Sequence, residues 1–215
     1  FRLGFSACLQ NRSSLRDHSL TGEVPCQRLR IMNQPFLCSF GILALSFVSV
    51  VRGESPIKVF LLAGQSNMEG QGVVSMDHAD HYNGGKGNLV WSMKNSVSAG
   101  KMKHLQTRDG EWVVRDDVAI SFKAKGEVRK GGLTVGYTGY GGSTHIGPEL
   151  QFGHVVGDHF KEPVLLIKTA WGGKSLYVDF RPPSSGGEVG PYYKQMIEEI
   201  RAALKKLDGR KYELS

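Results

Sequence analysis

Cysteine is scarce in this chain and confined to one end: Cys8, Cys26 and Cys38 are the only three in 215 residues, and none lies beyond residue 53. Residues 54–215 therefore offer no disulfide, no thiol nucleophile and no zinc–cysteine site. Long apolar runs are equally rare. Phe36 to Val51 gives sixteen residues without a charge, short of the roughly 20 that a helix needs to cross a bilayer and close to the apolar region of an export signal. Arg28 and Arg30 stand upstream of it, and Val51 and Gly53 are small residues before a cut at Glu54. We read residues 1–31 as an upstream extension preceding Met32, and residues 32–53 as a signal peptide or, failing cleavage, an apolar membrane anchor. A buried core helix is the remaining alternative for that run. The expected location is secreted or cell envelope.

A charge excess is missing from the body of the chain as well. The net charge is +7, but residues 1–53 hold six Lys/Arg against two Asp/Glu, leaving +3 for the rest. That balance implies no nucleic-acid surface, and any membrane contact is expected only through residues 36–51. Metal-ligand clusters are thin. His78 and His81 alternate with Asp77 and Asp80, yet no further ligand group supports them, so a solvated loop is expected and no metal. The Asp116–Asp117 pair reads as a turn. Neither a repeat nor a low-complexity tract occurs.

What is there is an ordinary globular composition, 40% hydrophobic and 22% charged, enough for one α/β domain. Its most informative stretch is Ile57-Lys58-Val59-Phe60-Leu61-Leu62-Ala63-Gly64-Gln65-Ser66-Asn67-Met68-Glu69-Gly70. The apolar run is too short for a helix and predicts a buried strand of a parallel sheet. Ligand sites in open α/β sheets lie beyond the carboxyl ends of the strands, which is where Ser66 would sit. Gly64 is expected to allow a sharp exit turn. A neutral serine needs a base and hydrogen-bond donors for the oxyanion of acyl transfer, and Gln65, Asn67 and local N–H groups are candidates to donate or to brace the turn. Met68 stands where the G-x-S-x-G elbow requires glycine, and no Gly-Lys-Ser/Thr follows, so neither that elbow nor a P-loop is present.

Further along, Val73 to Gly110 reads as a long polar loop region, and Glu111 to Ile120 as a short strand or hairpin. Gly131 to Gly153 holds eight glycines in 23 residues, which argues for tight turns or close approach to a ligand. Pro148 suits the first position of a helix running to about Phe160, with Gly147 as N-cap. The start of such a helix favours developing negative charge, making Gly147 a candidate oxyanion donor. His145 reads as a loop histidine. Glu162 to Ala170 predicts a second buried strand opening onto Trp171-Gly172-Gly173-Lys174-Ser175, so Trp171, Gly173 and Lys174 are candidates to line a pocket; Trp171 offers a face for a sugar ring and Lys174 a donor to hydroxyls. Core or rim packing is the other reading. Pro191 to Leu207 predicts an amphipathic helix, and Lys211 to Ser215 another strand.

The string Gly64-Gln65-Ser66-Asn67-Met68-x-Gly70 resembles the first block of the SGNH/GDSL-type hydrolases, in the branch of sialate O-acetylesterases and acetylxylan esterases. The resemblance implies a flavodoxin-like three-layer α/β/α sandwich around a parallel sheet, with Ser66 as nucleophile and its own N–H as an oxyanion donor. Gly147-Pro148-Glu149 resembles the second block, whose glycine gives another donor. The third block, a Gln-Gly-Glu type, and the Asp-x-x-His block that supplies acid and base have no match here. None of the seven histidines lies three residues after an aspartate. We therefore expect residues 55–215 to be the first two-thirds of such a domain, incomplete at its C-terminus, with two of four blocks. The implied function is removal of O-acetyl groups from carbohydrates through an acyl-enzyme, without metal or organic cofactor. The chain by itself is expected to be nearly inactive, since losing one oxyanion donor alone costs about 10² to 10³ in turnover. The alternatives are a carbohydrate binder that lost the triad and an envelope protein held by its apolar leader.

Overall fold

The computed structural model describes residues 54–141 and 144–215. The upstream extension, the apolar run of residues 36–51 and all three cysteines lie outside the described residues.

The strand expected from Ile57 forms β1, Ile57–Gly64, and the strand from Glu162 forms β6, Val164–Ala170. Between them come a four-residue helix α1, Ser66–Glu69; a short strand β2, Gly72–Val73; helix α2, Leu89–Asn95; a 3-10 helix, Ala99–Leu105; strands β3, Arg115–Ala124, and β4, Glu127–Leu133; a short β5, His145–Ile146; and helix α3, Glu149–His159. After β6 follow helix α4, Pro191–Lys205, and strand β7, Tyr212–Leu214. The main sheet runs β4-β3-β6-β1-β7, and β2 pairs with β5 in a separate two-stranded ribbon. Strands β3, β6, β1 and β7 are parallel, and β4 is antiparallel to β3 across a turn at Lys125–Gly126.

Alternation along the strands sorts the core into two layers. Val164 and Leu166 of β6, with Val118 and Ile120 of β3, face α3 through Leu150 and Val156. Leu165 and Ile167, with Ile57 and Val59, face α4 through Ile200, Ala203 and Leu204, with Leu207 just beyond the helix. All seven residues of β6 are consequently buried. Removing a side chain such as Leu166 from water stabilises the fold by roughly 1.5–3 kcal/mol. This is the expected α/β/α arrangement around a mostly parallel sheet.

Four local expectations are corrected. β1 is not buried throughout: β7 pairs only with Ile57–Val59, so the carboxyl half of β1 is partly open and Leu61 is 44% exposed. The stretch 73–110 is not only loop, since α2 lies within it, capped by the Asn88 side chain accepting from Trp91 N. β3 starts later and runs further than the sequence implied, and it hairpins into a strand, β4, that we did not foresee. Helix α3 begins one residue late, with Pro148 rather than Gly147 at its N-cap, an offset common at helix ends.

Candidate active site

Ser66 owes its place to strand pairing. β1 and β6 are parallel neighbours in a register that sets Gly64 opposite Ala170, and Trp171 N donates to Gly64 O at 3.2 Å. The two strands therefore release their following loops side by side at the carboxyl edge, one carrying Gln65–Ser66 and the other Trp171–Lys174. Gly64 is glycine for a different reason from the one expected. Its φ is not positive; instead α1 folds back over it, and a Cβ there would come within 2.7 Å of Met68 Cβ.

The half-buried Ser66 opens α1 and lines an open cleft of about 520 Å³. Across from it stands Gly172, where a Cβ would sit 3.8 Å from Ser66 Cβ. Gly172 N donates to Glu69 Oε2 at 2.8 Å, and Tyr140 Oη donates to the same oxygen at 3.4 Å. Glu69 thus ties the Ser66 helix to the opposite loop by its carboxylate. Its carbonyl accepts from Gly139 N at 3.1 Å and from Lys168 Nζ at 3.3 Å. Gly139 has no room for a side chain, because the Glu69 carboxylate fills that space.

The expected pocket residues Trp171, Gly173 and Lys174 all line this cleft. Gly173 has φ +72 with open space around it, so glycine is required by the left-handed backbone rather than by crowding. The Trp171 ring meets Tyr192 edge-on at 5.2 Å and tilts against Phe180 at 5.8 Å, while Lys174 Nζ lies 4.5 Å over the Tyr192 ring. Lys174 also borders a neighbouring cavity of about 270 Å³ that includes Gln65. Gln65 and Asn67 are exposed; Gln65 makes no side-chain cap to α1, and Asn67 is not among the residues of the Ser66 cleft.

Gly147 is not brought to the cleft. Its N–H donates to Glu149 Oε1 at 2.9 Å, and it borders a separate cavity with Leu89, Met102 and Leu150. It packs instead against Gly70, one turn of α1 beyond Ser66. The β2–β5 ribbon pairs Ile146 with Gly72, and this sets the start of α3 beside the Gly70 end of α1.

No histidine lines the cleft among the described residues. His145 Nδ1 is 2.8 Å from Thr144 Oγ1, and His78 stacks on His81 at 4.2 Å while its Nδ1 accepts from the Asp80 and His81 amides. Among the described residues no group of three or more His, Cys, Asp or Glu could hold a metal, and no helix is long and apolar enough to cross a membrane.

Sequence reading missed Glu69, Tyr140 and Lys125, which also line the cleft. It missed Lys168 and Glu149 too. A lone lysine in the otherwise apolar strand Val164–Ala170 was the available signal, since lysine is almost never fully buried without a partner. The partner is Glu149 Oε2 at 2.7 Å, with both side chains out of solvent. Burial pulls the Lys168 ammonium below its ordinary pKa of 10.5, opposed by the charges of Glu149 and Glu69.

Comparison with known proteins agrees with the resemblance. The family model for SASA, the carbohydrate esterase, sialic acid-specific acetylesterase family, matches residues 56–213. No curated protein matches the chain. Among solved structures, a protein from Arabidopsis thaliana determined by X-ray crystallography is 17% identical with a TM-score of 0.41, the match covering 74% of this chain and 55% of that one. The chain thus spans little more than half the length of that relative. On the extent of the family match, covering both the Ser66 turn and the loop that faces it, this chain belongs to the carbohydrate esterase, sialic acid-specific acetylesterase family.

Proposed function

We propose that the protein is a serine esterase that removes O-acetyl groups from carbohydrates, and that these residues supply its nucleophile and part of its sugar site. The observation that carries this reading is Ser66 at the rim of the sheet, facing the Trp171–Lys174 loop across an open cleft. Ser66 Oγ attacks the acetyl carbonyl, its proton passing to a base; the sugar oxygen leaves with a proton, and water then releases acetate from the acyl-serine. The oxyanion formed in both steps is held by the Ser66 N–H together with loop amides at Gly172 and Gly173. Gly172 can serve only when the Glu69 carboxylate yields its N–H. Trp171 stacks on a sugar ring, and Lys174 donates to hydroxyls. The base this chemistry needs is not among the described residues that line the cleft. Export is part of the same proposal, supported by the apolar run before residue 54.

The test is Ser66→Ala in the full-length protein, assayed on an aryl acetate and on O-acetylated sugars. Loss of hydrolysis to background with cooperative unfolding retained is the expected result, and an unchanged rate rejects the esterase reading. The 215 residues alone should hydrolyse the aryl acetate near background. A second reading, a carbohydrate binder without turnover, is favoured by the lack of a histidine in the cleft among the described residues; it predicts sugar binding with no Ser66-dependent hydrolysis in any form of the protein.

A further inference from the structure

Lys168 and Glu149 have no part in the chemistry above, yet they form an ion pair with 0% and 1% side-chain exposure directly beneath the cleft. An ammonium has three protons to donate. Those of Lys168 go to Glu149 Oε2 at 2.7 Å, Tyr137 O at 2.7 Å and Glu69 O at 3.3 Å. The acceptors belong to three different parts of the chain: the first residue of α3, the glycine-rich loop walling the cleft, and the last residue of α1. The other Glu149 oxygen takes the Gly147 N–H.

A buried ion pair is a poor device for stability, because desolvation offsets the attraction and apolar residues of similar volume would fill the place as well or better. Helix α1 explains why one is there. It has four residues and is held internally by Glu69 N to Gln65 O and Gly70 N to Ser66 O. A single turn is far too short to hold its own shape in water.

We propose that the Lys168–Glu149 pair is a positioning device for Ser66. Gripping the Glu69 carbonyl fixes the far end of the turn that Ser66 begins, and the same ammonium fixes Tyr137 and so the opposite wall. Glu149 anchors the ammonium and ties both to α3. The proposal rests on Ser66 being the nucleophile, but its first test does not.

The experiment replaces the pair by apolar residues, Lys168→Met with Glu149→Leu, in the 215-residue chain. Hydrogen exchange is read at the amides of Glu69, Gly70 and Gly139, which are hydrogen-bonded around this point, against those of β3 and β6. The expected result is at least a tenfold loss of protection confined to the first set, with β3 and β6 keeping theirs. A uniform change over all these amides, or none around α1, overturns the proposal. Glu149→Gln is read in parallel, should the double variant fail to fold; it keeps an acceptor for the Gly147 amide and should give a smaller loss at the same amides, with a uniform loss again overturning it. In the full-length protein, where Ser66-dependent turnover is measured, the double variant should lower kcat about 10²-fold with KM little changed, the cost of a slightly misplaced nucleophile. An unchanged kcat overturns the positioning role. Hydrolysis that survives Ser66→Ala defeats the esterase reading alone and leaves the exchange result standing.

Discussion

Gly172 N lies 2.8 Å from Glu69 Oε2, so a carboxylate on the serine helix holds the loop on the opposite side of the cleft. Hydrogen bonds to charged groups contribute about 1.5–3 kcal/mol when well formed. Glu69→Ala should therefore loosen Gly172 and Tyr140 together and lower stability by about 1–2 kcal/mol, the low end because the cleft is open to water. Glu69→Gln keeps an acceptor and should lose about half as much. Urea unfolding gives the stabilities, and exchange at the Gly172 amide locates the effect. Equal exchange at Gly172 in all three proteins would falsify the clamp.

Acid should weaken the fold through His154. This α3 side chain is 3% exposed, its Nε2 has no partner among the described residues, and its ring meets His104 edge-on at 4.8 Å. Burial lowers its pKa from 6.5, reinforced by the charges of His104 and Arg115 and opposed by those of Asp158 and Asp117. The folded protein thus favours the neutral ring, and between the lowered pKa and 6.5 the unfolded chain binds more protons. Stability is complete above pH 6.5, falls as pH drops through that window and levels off below it. His154→Leu should flatten the dependence there. Parallel urea-midpoint curves for both proteins from pH 7 to pH 4 would remove His154 from the account.

Helix α3 packs on the sheet through two glycines one turn apart. A Cβ on Gly153 would run into Leu133 Cδ2 and come within 2.9 Å of Leu166 Cδ1, and one on Gly157 would meet Val118 and Arg115. Gly153→Ala should cost about 1–3 kcal/mol by overpacking, visible as a lower urea midpoint with an unchanged m-value. Combining it with Leu133→Val should recover part of the loss. A stabilised single variant would mean that the helix gains more from alanine than the core loses.

Much of this architecture could be read from residue pattern alone. β1 and β6 announced themselves as apolar runs of strand length closed by Gly64 and Trp171-Gly172-Gly173, and α4 by apolar residues on one face from Met196 to Leu207. Where the pattern failed, tertiary pairing decided. β4, Glu127–Leu133, has charges and two glycines where alternating apolar residues would be expected, and it is a strand because it lies along β3 at the edge of the sheet. α2 has seven residues, too few for a helical period to show. Ser66 and the Trp171–Lys174 loop were legible because both follow strands whose parallel course implied a common edge. The start of α3 was legible to within one residue from Gly147-Pro148, but a helix start reads the same whether or not it borders a given cleft. Glu69 lies three residues after Ser66 on α1, within reach of a helical spacing rule, whereas Tyr140 and Lys125 reach the cleft from two other parts of the chain, which no spacing rule could foresee.

The register of β1 on β6 separates two tasks. The serine is fixed by a strand whose length and pairing are dictated by the core, whereas the facing wall, Trp171 to Lys174, opens a largely exposed stretch between β6 and α4. Lengthening or reshaping that wall leaves the placing of Ser66 untouched. Changes of shape can accumulate there one insertion at a time, while the core keeps Ser66 where it is.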